Sequence, residues 1–559
     1  MFSSSTVIAN KSLLHTFGKK TERDYLVLLL LTTIACLCSS FFRLSGKLEI
    51  MTLNNPTEGE LLTQLGYRQE LQRNFSFLSM VGMAFAILNS WTALAASLNV
   101  ALPSGGPTAI LWGLCLAAIG QLAVSASLAE ICSVYPTSGG QYHWTAILSA
   151  ARYARILSFI CGWINVAGWW ALTASAGSFQ GQLITGIISL AVPSYAIQRW
   201  HIFLIYVVDI LGALLINIFA VRALPTVNKA AFIWSILGMI TISITVIAYA
   251  YPKYQNARFV FGGFLNTTGW NDGLAWMLGL LQATLGTTGY DAVAHMVEEL
   301  PNPARNAPRA MVLSIIIGFF TGFVFLAILL FSLTDVNEVM SSKSGSLLQI
   351  FYQATGNKLI SILLNIIPVV CMAFASISIM TTASRITYAF ARDQGLPLSK
   401  SLAQVNSRFN APINALILNS VIAGIFGCIY LVSTSALNAI LSASVVALGV
   451  SYAFPIAILV YRGRSILPFE RQFRLGNLLG WMSHIIGLVF IAFTTILFLF
   501  PPQTPVTWSN MNYTIIAFAI VFIFALFQRI FDGHKNYHGP HVHAKSDNDH
   551  ALHTTSQRY

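Results

Sequence analysis

The sequence predicts an all-α polytopic membrane protein with about twelve transmembrane helices, and three observations carry that prediction. Of 559 residues, 56% are hydrophobic and only 9% are charged, where soluble domains average about 25% charged; the mean hydropathy is +0.69. Apolar runs long enough to cross a bilayer recur from Phe75 onward. The first and sixth of these runs, five helices apart, are interrupted by polar and small residues. That is the pattern of an inverted repeat with a ligand site at the bilayer midplane.

The runs lie near 77–101, 108–131, 156–190, 202–221, 230–251, 273–297, 311–333, 359–384, 412–431, 437–460, 478–500 and 511–531. Lys and Arg are retained on the cytosolic side of a membrane, so their placement gives the orientation. With Met51 in the cytosol, the inner segments carry 20 Lys plus Arg; the outer loops carry five, namely Arg199, Lys253, Arg258, Lys343 and Lys358. Both ends of the 51–559 unit are therefore expected inside. The net charge of +12 is spread singly between apolar spans, which argues against a nucleic-acid footprint, since that would cluster on one face. The seven cysteines show no disulfide or metal spacing, and no GxxxxGK[ST] loop occurs. Neither a metal nor a cofactor is expected, nor an ATPase.

Four parts are expected along the chain. Residues 1–50 read as an N-terminal extension of doubtful relation to the rest, with one apolar run at 25–42 flanked by basic residues on both sides. An extra helix, a signal-like segment and upstream sequence outside the functional unit compete there. The last is preferred because Met51 opens a polar, acidic stretch, MTLNNPTEGELL, like an ordinary cytosolic start. Residues 51–76 form a cytosolic segment, 77–531 the twelve-helix domain, and 532–559 a cytosolic tail holding six of the eleven histidines. That tail is read as solvated polypeptide rather than a metal site. Asn266 and Asn512 begin glycosylation sequons in outer loops, of which Asn266 is the better placed.

The sixth run carries the most chemistry. After the apolar stretch 274–285 come Gly286, Thr287, Thr288 and Gly289, then Tyr290 and the acidic Asp291. Glycine is a poor helix centre, and broken backbone at membrane depth is tolerated only where it lines protein or a wet cavity. A carboxylate beside such a break is a functional-site candidate by default; a structural cap on the second half-helix is the plainer alternative. The first run shows the same device, with Asn89, Ser90, Trp91 and Thr92 between 77–88 and 93–102. There the plainer alternative is small-residue packing. Half-helix ends at matched breaks suit a zwitterion, with amides for a carboxylate and carbonyls for an ammonium. Between runs two and three, Glu130-Ile-Cys-Ser-Val-Tyr-Pro-Thr-Ser-Gly139-Gly140-Gln141-Tyr142 implies a tight, re-entrant turn.

The stretches NSWTALAASLNVALPSGGP (89–107), SLAEICSVYPTSGGQYHW (127–144), TGYDAVAHMVEELPNPARNAPRAM (288–311) and IMTTASRITYAFARDQGLP (379–397) carry a family resemblance. Together they resemble the amino acid–polyamine–organocation superfamily, and within it the fungal amino acid/choline branch that includes GABA and choline permeases. The resemblance runs from about Phe75 to Asp532 and excludes residues 1–50. It implies a leucine-transporter-type 5+5 inverted repeat with two appended helices. It also implies a substrate site at Asn89, Ser90, Trp91 and Thr92 and at Gly286, Thr287, Thr288, Gly289 and Tyr290, with Asp291 serving proton linkage or gating. Some proton-coupled relatives carry a Lys within span five; here only Lys229 stands at its cytosolic edge, so coupling through that position is not expected.

Trp91 and Tyr290 on the breaks, with Trp169 and Trp170 in span three near Asn165, could form an aromatic wall for a choline-like amine, although membrane aromatics more often serve packing. Asp209 in span four reads as a structural hydrogen-bonding acid; His295, four residues past Asp291 on the same helical face, could extend a proton path, with a buried, satisfied histidine as the preferred reading. The resulting expectation is not an enzyme but a secondary active transporter of an amino acid, GABA, choline or a related amine, proton-linked and working by alternating access. The plasma membrane is the expected location, with the vacuolar membrane as the alternative. Movement of a pathway-specific amine or alkaloid, or a transport-dead sensor of the same fold, are the competing functions.

Overall fold

A computed structural model describes residues 67, 70–432, 436–508 and 510–540. The apolar run at 25–42, most of the 51–76 segment and four of the tail histidines lie outside these residues. Within them the chain is helical, with two isolated antiparallel bridges, Ser104 to Asn266 and Asn406 to Ala411.

Each expected span coincides with a helix or a helix pair. Span one is Phe77–Leu88 plus Ser90–Ala96; two is Gly106–Cys132, three Ala151–Ala191, four Arg199–Phe219 and five Leu224–Ala250. Span six is Asp272–Leu285 plus the short Ala292–His295; seven is Pro303–Ser332, eight Lys358–Arg392 and nine Ile413–Val432. Spans ten, eleven and twelve are Ala436–Arg462, Asn477–Leu497 and Thr514–Gln528. Among the described residues ten helices are long and apolar enough to cross a membrane. The divided span six and the shorter span nine complete the series.

Side-chain oxygens fix several helix starts by accepting from otherwise orphaned amides. Ser76 and Ser79 form a capping box at span one, and the Asn271 side chain accepts from Leu274 N at span six. Span three begins at Ala151 and runs 41 residues, five residues earlier than the apolar run at 156 suggested. Arg152 and Arg155 occupy this first turn, so hydropathy alone could not show that the helix had begun.

Burial sorts the spans into layers. In span one 89% of the apolar window is buried, against 22% in span four and 17% in span twelve. Val208, Ile425, Val489 and Phe524 stand more than half exposed on spans four, nine, eleven and twelve. Large apolar side chains turned outward on this scale suit lipid and not water. Span four is thus peripheral, and its Asp209 accepts a hydrogen bond from Ser376 Oγ of span eight at 2.6 Å. The carboxyl has a structural hydrogen-bond partner, as expected.

A second buried charge cluster ties spans two, ten and eleven together at one end. Glu130 takes Arg464 Nη1 at 2.9 Å, Arg471 Nη2 at 2.6 Å and the Leu475 amide at 3.0 Å. Arg464 passes directly beneath Gly480, where a Cβ would fall 1.9 Å from its Cζ. No larger residue fits there without displacing the guanidinium.

Candidate functional site

Span one breaks because Asn89 adopts the left-handed conformation, φ 43° and ψ 38°. Asparagine is among the few non-glycine residues that reach this region without severe strain. Its amide still closes the first half-helix on Phe85 O at 2.8 Å, and its carbonyl opens the next by accepting from Ala93 N at 2.7 Å. Span six breaks at the matching place, where Gly289 has φ +104°. Each break therefore turns on one residue of positive φ, and each leaves helix-end backbone groups in the middle of the membrane domain.

Around the first break, Asn89 Nδ2 approaches Met372 Sδ of span eight at 3.6 Å. Ser90 is buried against Gly318 of span seven, with its hydroxyl lacking a partner among the described residues. Trp91 is fully buried; its Nε1 donates to Ser235 Oγ of span five at 2.8 Å and its ring meets Phe325 of span seven edge-on at 4.7 Å. Thr92 is buried beside Cys371 of span eight.

Around the second break, Gly286 lies against Leu94 of span one, and Thr287 Oγ1 donates back to Ala283 O at 2.9 Å. Thr288 Oγ1 donates to Thr284 O at 2.7 Å and accepts from Gln121 Nε2 of span two at 3.1 Å. The Tyr290 hydroxyl donates to the other end of that amide, Gln121 Oε1, at 3.1 Å. Gln121 thus clamps both sides of the break. Trp91 faces spans five and seven while Tyr290 faces spans two and ten, so the two rings do not make a common wall, and Trp169 is committed elsewhere.

Asp291 is fully buried and ringed by donors. Its Oδ1 accepts from the Tyr452 hydroxyl of span ten at 2.5 Å; its Oδ2 accepts from Gln141 Nε2 at 2.8 Å and Trp169 Nε1 of span three at 3.3 Å. His295 Nε2 stands 3.3 Å from the same Oδ2. The far side of the imidazole, Nδ1, meets the backbone carbonyl of Ser138 at 3.0 Å. Asn165 of span three steadies the group, its Nδ2 donating to Gln141 Oε1 at 2.8 Å.

The segment carrying Ser138 lies between spans two and three. Gly140, at φ +54°, turns the chain there and begins a buried helix, Gln141–Leu148. The turn also reaches a buried ionic latch. Glu298 accepts from Ser138 Oγ at 2.6 Å, Ser138 N at 3.3 Å and Arg392 Nη2 of span eight at 3.0 Å. Burial pushes the Glu298 carboxyl up, but the Arg392 guanidinium and the Ser138 hydrogen bonds outweigh it and hold the group below its ordinary value. Glu299 pairs with Arg385 at 2.9 Å, and the Arg392 guanidinium lies 4.1 Å over the Tyr67 ring. On the opposite side of the break a cleft of about 180 Å³ is lined by Asn99, Ser104, Leu278, Leu281 and Ser442 among others. The molecule is latched on one side of the break and hollowed on the other.

Gln121, Gln141 and Tyr452 had not been singled out as site residues. Each lies 150 or more residues from its partner in the break, and only the Gly139-Gly140 signal beside Gln141 hinted at any of them. Both sequon asparagines are tied down. Asn266 Nδ2 donates to Trp270 O at 2.8 Å and Asp272 Oδ1 at 2.9 Å, and Asn512 Nδ2 donates to Phe498 O at 2.7 Å. Among the described residues no group of three metal-ligating side chains occurs.

The family model for amino acid permeases matches residues 75–523, which spans both breaks and the latch and runs from the first span into the twelfth. The chain belongs to the amino acid permease family. A relative in Macrophomina phaseolina with the provisional name amino acid/polyamine transporter is 38% identical over 443 residues, covering 78% of this permease and 96% of its own length. The choline transporter of Saccharomyces cerevisiae is 32% identical, over 84% of this chain and 83% of its own. An amino-acid permease of Arabidopsis thaliana is 31% identical, over 86% and 95%. This permease is a multi-pass membrane transporter.

Proposed function

We propose that this permease carries a zwitterionic amino acid, of the α or γ-aminobutyrate kind, by alternating access at the two breaks, and that transport is linked to protons through Asp291. The plasma membrane is the proposed location. The observation that carries the reading is the state of Asp291: it is the acid of the break, fully buried, and its carboxylate is already met by donors from spans three and ten and from Gln141, with His295 beside it. A polyamine would need several bare carboxylates to replace the water it sheds. The break offers one, and it is occupied. A net-neutral substrate, held by helix-end amides and carbonyls, fits better. A choline-like cation is the second reading, favoured by the Tyr290 and Tyr452 rings at 5.4 Å beside the break and by the similarity to a choline transporter.

The test is uptake in a host lacking its own permeases, using labelled neutral amino acids, γ-aminobutyrate, choline and a polyamine, with and without a protonophore. Protonophore-sensitive accumulation of a zwitterion is expected. Accumulation of the polyamine alone, or accumulation indifferent to the proton gradient, would overturn the proposal.

A further inference from the structure

The Ser138 carbonyl constrains where protons sit on His295. A carbonyl can only accept, so Nδ1 at 3.0 Å must carry a hydrogen. In neutral imidazole that leaves Nε2 bare, facing Asp291 Oδ2 at 3.3 Å lone pair to lone pair. The contact becomes attractive only with one further proton on that edge, on the imidazole or on the carboxyl. Asn165 Nδ2, at 3.5 Å from Nε2, is at the outer limit of a hydrogen bond, and its better bond goes to Gln141. The other polar and titratable groups facing the pair are Tyr452 from span ten, Tyr290 from span six and Trp169 from span three. The two tyrosines keep their own protons near neutrality, so the extra proton belongs to the Asp291–His295 pair.

The same Ser138 uses its hydroxyl and amide to hold Glu298, and its hydroxyl accepts from Arg392 Nη2 at 3.2 Å. One residue thus touches both the proton-bearing pair and the latch. We propose that Ser138 is the positioning residue that couples them: with the latch closed, its carbonyl fixes Nδ1–H and the pair keeps its proton. When the latch opens and Ser138 withdraws, the imidazole's one remaining hydrogen can sit on Nε2 and donate to the Asp291 carboxylate. The extra proton then leaves to the cytosol, and no oxidant, reductant or other co-reactant is involved. Coupling of this kind is reciprocal, so protonation must in turn favour the closed latch. This inference rests on the proton-linked reading above and gives it a physical connection.

Hydrogen exchange of the full chain in lipid nanodiscs tests it without knowing the substrate. After correction for intrinsic rates, the segments 135–144 and 296–302 should be more protected at acidic than at neutral pH. His295→Gln, which can still donate to the Ser138 carbonyl but cannot titrate, should abolish that difference. Ser138→Ala should abolish it too, and Ser138→Thr, which restores the hydroxyl, should bring it back. An absent pH difference in the parent chain, or one that survives in His295→Gln, overturns the inference. So does one that survives in Ser138→Ala. Should Ser138→Ala misfold, the His295→Gln and Ser138→Thr results still decide. If exchange behaves as expected while uptake ignores the proton gradient, the transport reading fails and the coupling stands.

Discussion

Gly140 lies so close to the His295 imidazole that a Cβ on it would stand 2.8 Å from Cε1 and 3.1 Å from Nδ1. Its φ of +54° adds a second reason for glycine, since a side chain held there is strained by about 1–3 kcal/mol. Gly140→Ala should therefore reach the membrane poorly and lose most uptake. Part of the loss comes from the ring and part from the backbone, so Gly140→Ala combined with His295→Ala should cost less in melting temperature than the two single penalties added. Strict additivity would show that the ring contact is unimportant.

Asp291→Asn is less innocent than its size suggests. The carboxylate accepts from Tyr452, Gln141 and Trp169 and faces His295, whereas an amide accepts on one atom only. At least one donor would then face an NH2 group, at about 1–3 kcal/mol for an unsatisfied buried group. The expected outcome is a lower melting temperature together with loss of pH-driven accumulation, while substrate exchange persists. Accumulation with the parent pH profile would make Asp291 a structural acceptor alone.

Trp91→Phe separates packing from recognition. Its Nε1 bonds Ser235 and its ring packs on Phe325, so the change should remove one hydrogen bond, about 0.5–1.5 kcal/mol. It should weaken transport of cationic and zwitterionic substrates alike. A selective loss of choline competition would restore Trp91 to the aromatic wall expected from the sequence.

The latch should not respond to mild acid through Glu298. Its carboxyl is held below the ordinary 4.5 despite burial; a group depressed on folding lends stability above its unfolded value and loses it as pH falls through the folded one. The difference in thermal stability between the parent chain and Glu298→Gln should stay level from about pH 7 to about pH 5 and shrink only below that. A difference that fades near neutrality would assign the pH response to Glu298.

Much of this architecture was legible in the residues. Spans announce themselves because lipid demands long uninterrupted apolar runs, and the breaks because Asn89 and Gly289 interrupt them with residues suited to positive φ. Asp291 stood out for the same reason, as a carboxylate where charge is expensive. What the sequence could not give was direction. A tryptophan at a break looks alike whether it faces the gap or, as Trp91 does, the neighbouring helices. Gln121, Gln141 and Tyr452 carry no local mark, since their meaning depends on partners brought from 150 residues away or more. The Gly139-Gly140 pair could be read as a turn, but not as the floor beneath an imidazole.

Span three is a single helix of 41 residues. At 1.5 Å per residue it measures about 60 Å, roughly twice the hydrocarbon slab of about 30 Å. It must lean steeply or stand clear of the lipid, and its N-terminal foot is gripped by the segment around Tyr537. The Tyr537 hydroxyl meets Ser158 Oγ at 2.8 Å, and the Tyr537 ring lies 5.2 Å from that of Phe159. Asn165 and Trp169, which steady the carboxylate, sit only about 10 to 17 Å up the same rod. Bilayer thickness and any pull on Tyr537 therefore bear on one mast, and the chemistry at mid-height is mounted on it.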